Sequence, residues 1–117
     1  MQTPKPKRSD IWLVRLQPTV DDEIGKTRPC VVVSGAEVGR LALRLVVPIT
    51  EWKTSYANYS WMVRLDPDAE NGLTKTSAAD VFQMRSASLQ RFGTYVGALP
   101  QERMERIKQA IEVCVEE

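Results

Sequence analysis

The sequence predicts a mainly β domain: a small twisted or barrel-like sheet with one helix at its C-terminal end. Three observations carry this. Short apolar runs recur between turn-forming residues from about residue 10 to residue 98. No helix-period pattern separates the early runs, which argues against a βαβ arrangement. A single stripe of apolar residues at helical spacing appears, and it falls at the end of the chain. At 117 residues the chain has the size of one domain, and it carries no internal repeat or low-complexity linker.

The elements follow in order. Residues 1–9 hold Lys5, Lys7 and Arg8 with no apolar stretch behind them, so they read as a short flexible tail rather than a signal peptide. The domain is expected over residues 10–117. DIWLVRL (residues 10–16) is rich in β-branched and aromatic residues and predicts a first strand. QPTVDDEIGKT (residues 17–27) is polar, holds Pro18 and Gly25, and predicts a loop; loops of this length in a compact domain are often functional. PCVVVS (residues 29–34) predicts a strand buried on both faces, with Pro29 tolerated at its first position. LRLVVPIT (residues 43–50) is the next strand. It places Leu43, Leu45, Val47 and Ile49 on one face and Arg44, Val46, Pro48 and Thr50 on the other, with a bulge or an edge at Pro48.

EWKTSYAN (residues 51–58) predicts a polar loop with two aromatics. YSWMVRL (residues 59–65) predicts a strand with Trp61, Val63 and Leu65 on one face. DPDAENG (residues 66–72) is a turn, residues 73–84 are extended, and FGTYVGA (residues 92–98) is a last short strand. Pro100 suits a helix start, and Met104, Ile107, Ile111 and Cys114 then form one apolar stripe.

Composition excludes several chemistries. Sixteen Lys and Arg against fifteen Asp and Glu leave a formal charge of +1, so any nucleic-acid site is a local basic cleft rather than a bulk positive surface. There is no histidine. That removes His-based acid–base catalysis, Ser-His and Cys-His nucleophiles, and histidine metal ligands. The two cysteines, Cys30 and Cys114, are too few for a four-cysteine zinc site and too far apart for a CxxC pair; they read as buried apolar positions in a reducing cytosol. No apolar run approaches the ~18 residues of a membrane span. The glycosylation sequon at Asn58-Tyr59-Ser60 has no secretion signal to serve it.

Candidate functional residues cluster at strand ends. In Lys26-Thr27-Arg28-Pro29, the following proline biases Arg28 toward extended backbone at the mouth of a buried strand. Its guanidinium is there suited to a phosphate, or to a salt bridge with Asp21, Asp22 or Glu23. Thr50 ends a strand where its hydroxyl can face a cleft or cap a turn. Gln83 can orient a polar ligand, and Arg85 is a second phosphate candidate. Trp52 and Tyr56 flank Lys53, a pattern on which single-stranded bases stack, or which forms a subunit interface.

Taken together, DIWLVRLQPT, EIGKTRPCVVVS, VVPIT and the stretch around Gln83-Met84-Arg85-Ser86 resemble the MazF/PemK family of toxin endoribonucleases. The resemblance runs from Asp10 through the terminal helix. It implies a small SH3-like β-barrel with a C-terminal helix, assembled as a homodimer in the cytoplasm. It implies cleavage of single-stranded RNA at short sequences with no metal or cofactor, leaving a 2′,3′-cyclic phosphate and a 5′-hydroxyl. It also implies an antitoxin partner that lays an acidic, flexible segment over the RNA site. The family's catalytic Arg and Thr match Arg28 and Thr50, and an acidic residue of its first long loop matches Glu23. Lys26, Thr27, Trp52, Lys53, Tyr56, Asp80, Gln83 and Arg85 are the expected RNA-binding residues. Many members carry an acidic residue immediately before the late Gln, where this chain has Phe82. Either Asp80, two residues earlier and on the same face of a regular strand, about 6–7 Å away, substitutes for it, or the role is absent here.

Arginine stays protonated and serves to stabilise charge at phosphorus; one such donor is worth roughly 3–4 kcal/mol. A carboxylate is the better candidate for the base at the 2′-OH, Glu23 first and Asp80 second, the alternative for Glu23 being to position Lys26 or Arg28. The alternative is a non-catalytic SH3-like barrel acting on gyrase or on nucleic acid without cleavage.

Overall fold

The computed structural model describes residues 5–18, 20–35 and 41–116. Among the described residues there are seven strands and one α-helix: β1 (Asp10–Arg15), β2 (Thr27–Val32), β3 (Leu43–Glu51), β4 (Met62–Leu65), β5 (Ser77–Asp80), β6 (Arg85–Ser88), β7 (Phe92–Ala98) and α1 (Gln101–Val115). All strand pairings are antiparallel, in the order β4-β5-β3-β2-β1-β7, and β6 also pairs with β3. The sheet curls but does not close as the barrel reading required; β4 and β7 remain its edges.

Strand β3 organises the rest. Along one side it pairs first with β6 through Leu43–Val46 and then with β5 through Ile49–Glu51. The two pairings are out of register, and the extra residues form the 3₁₀ turn Val81–Gln83. Pro48 falls in the gap between them, where its missing N–H breaks no bond to β5 or β6. Pro29 behaves alike. The second strand starts at Thr27, earlier than its apolar run, so Pro29 is internal to it; pairing of β2 with β3 begins only at Cys30. The fourth strand is shorter than expected and starts at Met62, and residues 54–58 form a 3₁₀ turn.

The two-residue period splits the side chains between two cores. Ile11, Val31, Val47, Ile49, Ala79, Val63 and Leu65 pack against Met104, Ile107 and Ala110 of α1. Ile111 and Cys114 are only half-buried on that stripe. The opposite face gathers Val14, Leu16, Cys30, Val32, Val46, Ala87 and Phe92 into a smaller core. With only one helix available, this second face is covered by the loop between β1 and β2, and that is where a cleft opens.

Residues 6–9 are tied to the sheet rather than loose, in contrast to the expected tail. Ser9 N–H donates to Val32 C=O at 2.9 Å, and the buried Arg44 donates to Pro6 C=O at 2.8 Å. Residues 1–4 lie outside the described residues. The turn at residues 66–72 lies along β7: Ala98 N–H donates to Glu70 C=O at 2.9 Å. Gly97 sits so close to that turn that a Cβ there would meet Glu70 O at 2.4 Å.

Candidate nucleic-acid interface

A cleft of about 780 Å³ lies between the β1–β2 loop and the start of β6. Val20–Ile24 form one wall, Phe82–Ser86 the other, and Pro48 lies between them. The loop closes at its base through Leu16 N–H to Lys26 C=O at 2.9 Å. Asp21 and Lys26 turn it through positive φ angles of 54° and 64°. Asp and a few polar residues tolerate that region better than β-branched ones, so a polar sequence is what this path needs.

Three expected residues meet in the cleft: Glu23, Gln83 and Arg85. Their heads are already engaged. Glu23 Oε1 accepts from Val20 N–H at 2.6 Å. The Gln83 amide accepts from Ile24 N–H at 2.7 Å and donates to Asp22 C=O at 3.0 Å. Arg85 Nη1 donates to Leu16 C=O at 2.9 Å. Gln83 and Arg85 therefore hold the loop as well as line the cleft, a role the sequence reading missed.

Arg28 and Thr50 both lie just beyond the end of the β2–β3 ladder, and neither lines the cleft. Cys30 and Pro48 are opposite each other where β2–β3 pairing ends. Two residues further along each strand, Arg28 pairs with Val14 of β1 and Thr50 with Ala78 of β5. Both are half-buried. Arg28 Nε donates to Gly25 C=O at 3.4 Å, and its terminal nitrogens have no hydrogen-bond partner among the described residues. Lys26 and Thr27 are exposed on the approach to Arg28. No ion pair joins Arg28 to Asp21, Asp22 or Glu23 among the described residues.

On the other side of Thr50, Trp52 packs edge-on against Tyr56 at 5.9 Å, and the Arg64 guanidinium lies 5.4 Å from the Trp52 ring. Lys53 is exposed and precedes the 3₁₀ turn that carries Tyr56. Asp80 departs from the expected geometry. It ends β5 rather than running on in a regular strand, it is buried, and its Oδ1 has neither a partner nor accessible surface. It does not line the cleft. Burial raises its carboxyl above the ordinary range, and the Phe82 and Gln83 backbone N–H groups pull it partly back. Cys30 is buried beneath the site, and desolvation pushes its thiol up to about 12 against the pull of Arg85, so it is inert packing.

Fold and site together define a class: a small antiparallel sheet with one C-terminal helix, bearing on its other face an open cleft lined by Gln83, Arg85 and three carboxylates. Within that class the chain belongs to the PemK-like, MazF-like toxin family of type II toxin-antitoxin systems, whose model matches residues 7–115. It is 30% identical over 106 residues to "Endoribonuclease PemK" of Escherichia coli, a match covering 90% of this chain and 72% of that protein. Among solved structures it resembles MazF of Deinococcus radiodurans, with a TM-score of 0.74 and 21% identity over 97% of this chain and 96% of that one. A mycobacterial endoribonuclease in complex with its cognate antitoxin is similar at a TM-score of 0.73 and 18% identity, covering 94% of each chain. A MazF toxin of Mycobacterium tuberculosis matches at 0.72 and 22% identity over 90% of this chain and 94% of that one.

Proposed function

We propose that Arg28, Thr50 and Glu23 are the catalytic groups through which this toxin acts as an endoribonuclease, cutting single-stranded RNA at preferred sequences. The reaction is transesterification: the 2′-oxygen attacks its neighbouring phosphorus and the 5′-oxygen leaves, giving a 2′,3′-cyclic phosphate and a 5′-hydroxyl. No metal is needed in this scheme. Arg28 donates to the nonbridging oxygens as charge grows on them, a contribution of about 3–4 kcal/mol for one such donor. Thr50 adds a second hydrogen bond to a nonbridging oxygen. Glu23 takes the 2′-OH proton, for which its carboxylate is a better base than a permanently charged guanidinium.

What supports this reading is that Arg28 and Thr50 each lie two residues past the last β2–β3 pair, both half-buried, and that the terminal nitrogens of Arg28 have no hydrogen-bond partner among the described residues. Lys26, Thr27, Lys53, Trp52 and Tyr56 extend the RNA path on either side, with Gln83 and Arg85 forming its inner wall. The toxin works in the cytoplasm as a homodimer. An acidic flexible segment of its antitoxin competes with RNA for the same field. Leu41, Leu43 and Leu45 are exposed at successive alternate positions, a stripe suited to the second copy.

The test is Arg28→Ala assayed on a long RNA in chelator, with primer extension to map ends. Cleavage is expected to fall by about a hundredfold or more, while sedimentation still reports the dimer. Full activity in that variant would discard the mechanism. RNA retained but never cut by the wild-type protein would favour a binding module instead.

A further inference from the structure

We propose that Phe82 is a stacking platform for one unpaired base of the RNA, and that it sets part of the sequence preference. This rests on the RNA-cleaving reading above and names a contact within the same site. Phe82 is 70% exposed, although it is a large apolar side chain on the wall of a concave cleft. It is not loose. Its ring lies 6.2 Å from Trp61, and Trp61 is stacked on Tyr59 at 4.8 Å with the planes 9° apart. Val81 N–H donates to Trp61 C=O at 3.1 Å, and Met84 N–H donates to Val81 C=O at 3.0 Å, so the turn carrying Phe82 is pinned beside Trp61.

Tyr59 also lies 6.3 Å from Tyr56, which joins this wall to the Trp52 and Arg64 pair next to Thr50. The aromatic surface thus runs from the strand end that carries Thr50 to the cleft beside Arg85. A ring held in place by other rings takes a flat partner at little cost in side-chain entropy.

Charge decides which part of the polymer enters. The wall facing Phe82 carries Asp21, Asp22 and Glu23. Asp21 and Asp22 repel phosphate, so the scissile phosphate stays between Arg28 and Glu23 and a neighbouring base is turned toward Phe82. Base stacking on an aromatic side chain tolerates every base but favours those with larger faces. An acidic residue at this position would only repel the polymer from that wall; the phenyl ring gives it an attractive partner.

The experiment compares wild type, Phe82→Leu and Phe82→Trp in steady-state cleavage of an RNA oligonucleotide spanning the strongest site mapped for the wild type. Leucine keeps an apolar side chain without a π face, and tryptophan enlarges the face. Phe82→Leu is expected to raise KM by about tenfold, which lies inside the range for one stacked base, with kcat unchanged. Phe82→Trp is expected to restore wild-type KM or lower it. An unchanged KM in Phe82→Leu, with wild-type cleavage normal, overturns this inference alone. Equal defects in both variants overturn it as well, since they mark a shape requirement rather than stacking. Loss of the dimer in Phe82→Leu by sedimentation assigns the ring to a second copy and overturns it. If the wild type cuts no RNA, the parent reading falls first, before any variant is made.

Discussion

Replacing Gln83 with alanine is expected to release the β1–β2 loop from the cleft wall while leaving the sheet intact. The amide makes two hydrogen bonds to loop backbone, 2.7 Å from Ile24 N and 3.0 Å from Asp22 O. A neutral hydrogen bond is worth about 0.5–1.5 kcal/mol net. Asp22 is exposed, so water replaces its lost donor well; Ile24 is half-buried, so its N–H is replaced less completely. The pair together amounts to about 1–2 kcal/mol. At 1.4 kcal/mol per factor of ten, the Ile24 amide should exchange with solvent about 5–30 times faster. Hydrogen exchange read by NMR gives this directly, with the amide of Val31, buried in the centre of the sheet, as internal reference. Gln83→Glu separates the two bonds. Glutamate still accepts from Ile24 but turns an oxygen toward the Asp22 carbonyl, so an intermediate rate is expected. Wild-type exchange at Ile24 in the alanine variant would refute the latch and leave the Leu16–Lys26 and Arg85–Leu16 bonds as what holds the loop.

Two further outcomes follow from burial. Ile107 joins α1 to the main core at 1% exposure, and Ile107→Ala should cost about 2–5 kcal/mol by cavity formation; thermal melting should register a fall of more than about 8 °C in Tm. Asp80 has a folded-state carboxyl raised above its ordinary value of 3.8 by burial. The folded chain therefore binds its proton more tightly than the unfolded chain, and wild-type stability falls as pH rises from that ordinary value through the raised one. Asp80→Asn removes the buried charge, so it should melt higher than wild type at neutral pH, with the gap closing once pH drops below 3.8. Melting curves across that range check the sign; a gap that widens toward acid contradicts it.

Much of the architecture was legible because it rests on periodicity. The β7 range matches its apolar run at both ends, and the helix starts just after Pro100, as the ring of a proline favours. The alternation in β3 sends Val47 and Ile49 to one core and Val46 to the other, but Leu43 and Leu45, on the face of Val47, stay exposed and Arg44 is buried. Strands β5 and β6 were not legible as separate elements. SAAD and RSAS are four-residue segments of small and polar side chains, with no alternation to read. What makes them strands is the long edge of β3, a tertiary effect.

The site divides in the same way. Arg28 and Thr50 stand at strand ends flanked by proline or a polar loop, which is visible in the chain. Gln83 and Arg85 read as ligand-facing groups, but they grip backbone carbonyls and amides on the loop before β2. Backbone partners carry no residue code, so no pattern announces them. Asp80 needed a regular strand to reach the cleft, and the turn at Val81–Gln83 denies it one. The stacked Tyr59 and Trp61 were read into a strand that starts only at Met62.

The turn that leans on β7 has a consequence for how this toxin behaves when it accumulates. A sheet rim with open amides can recruit an extended segment from a neighbouring molecule and grow into fibrils. Here the last stretch of β7 already spends an amide on Glu70, and Gly97 leaves no space for anything but that turn. At the opposite rim β4 is only four residues long and carries the exposed, charged Arg64. Crowded molecules therefore find little to template on, and a side chain added at Gly97 would unseat the guard and open that rim to pairing.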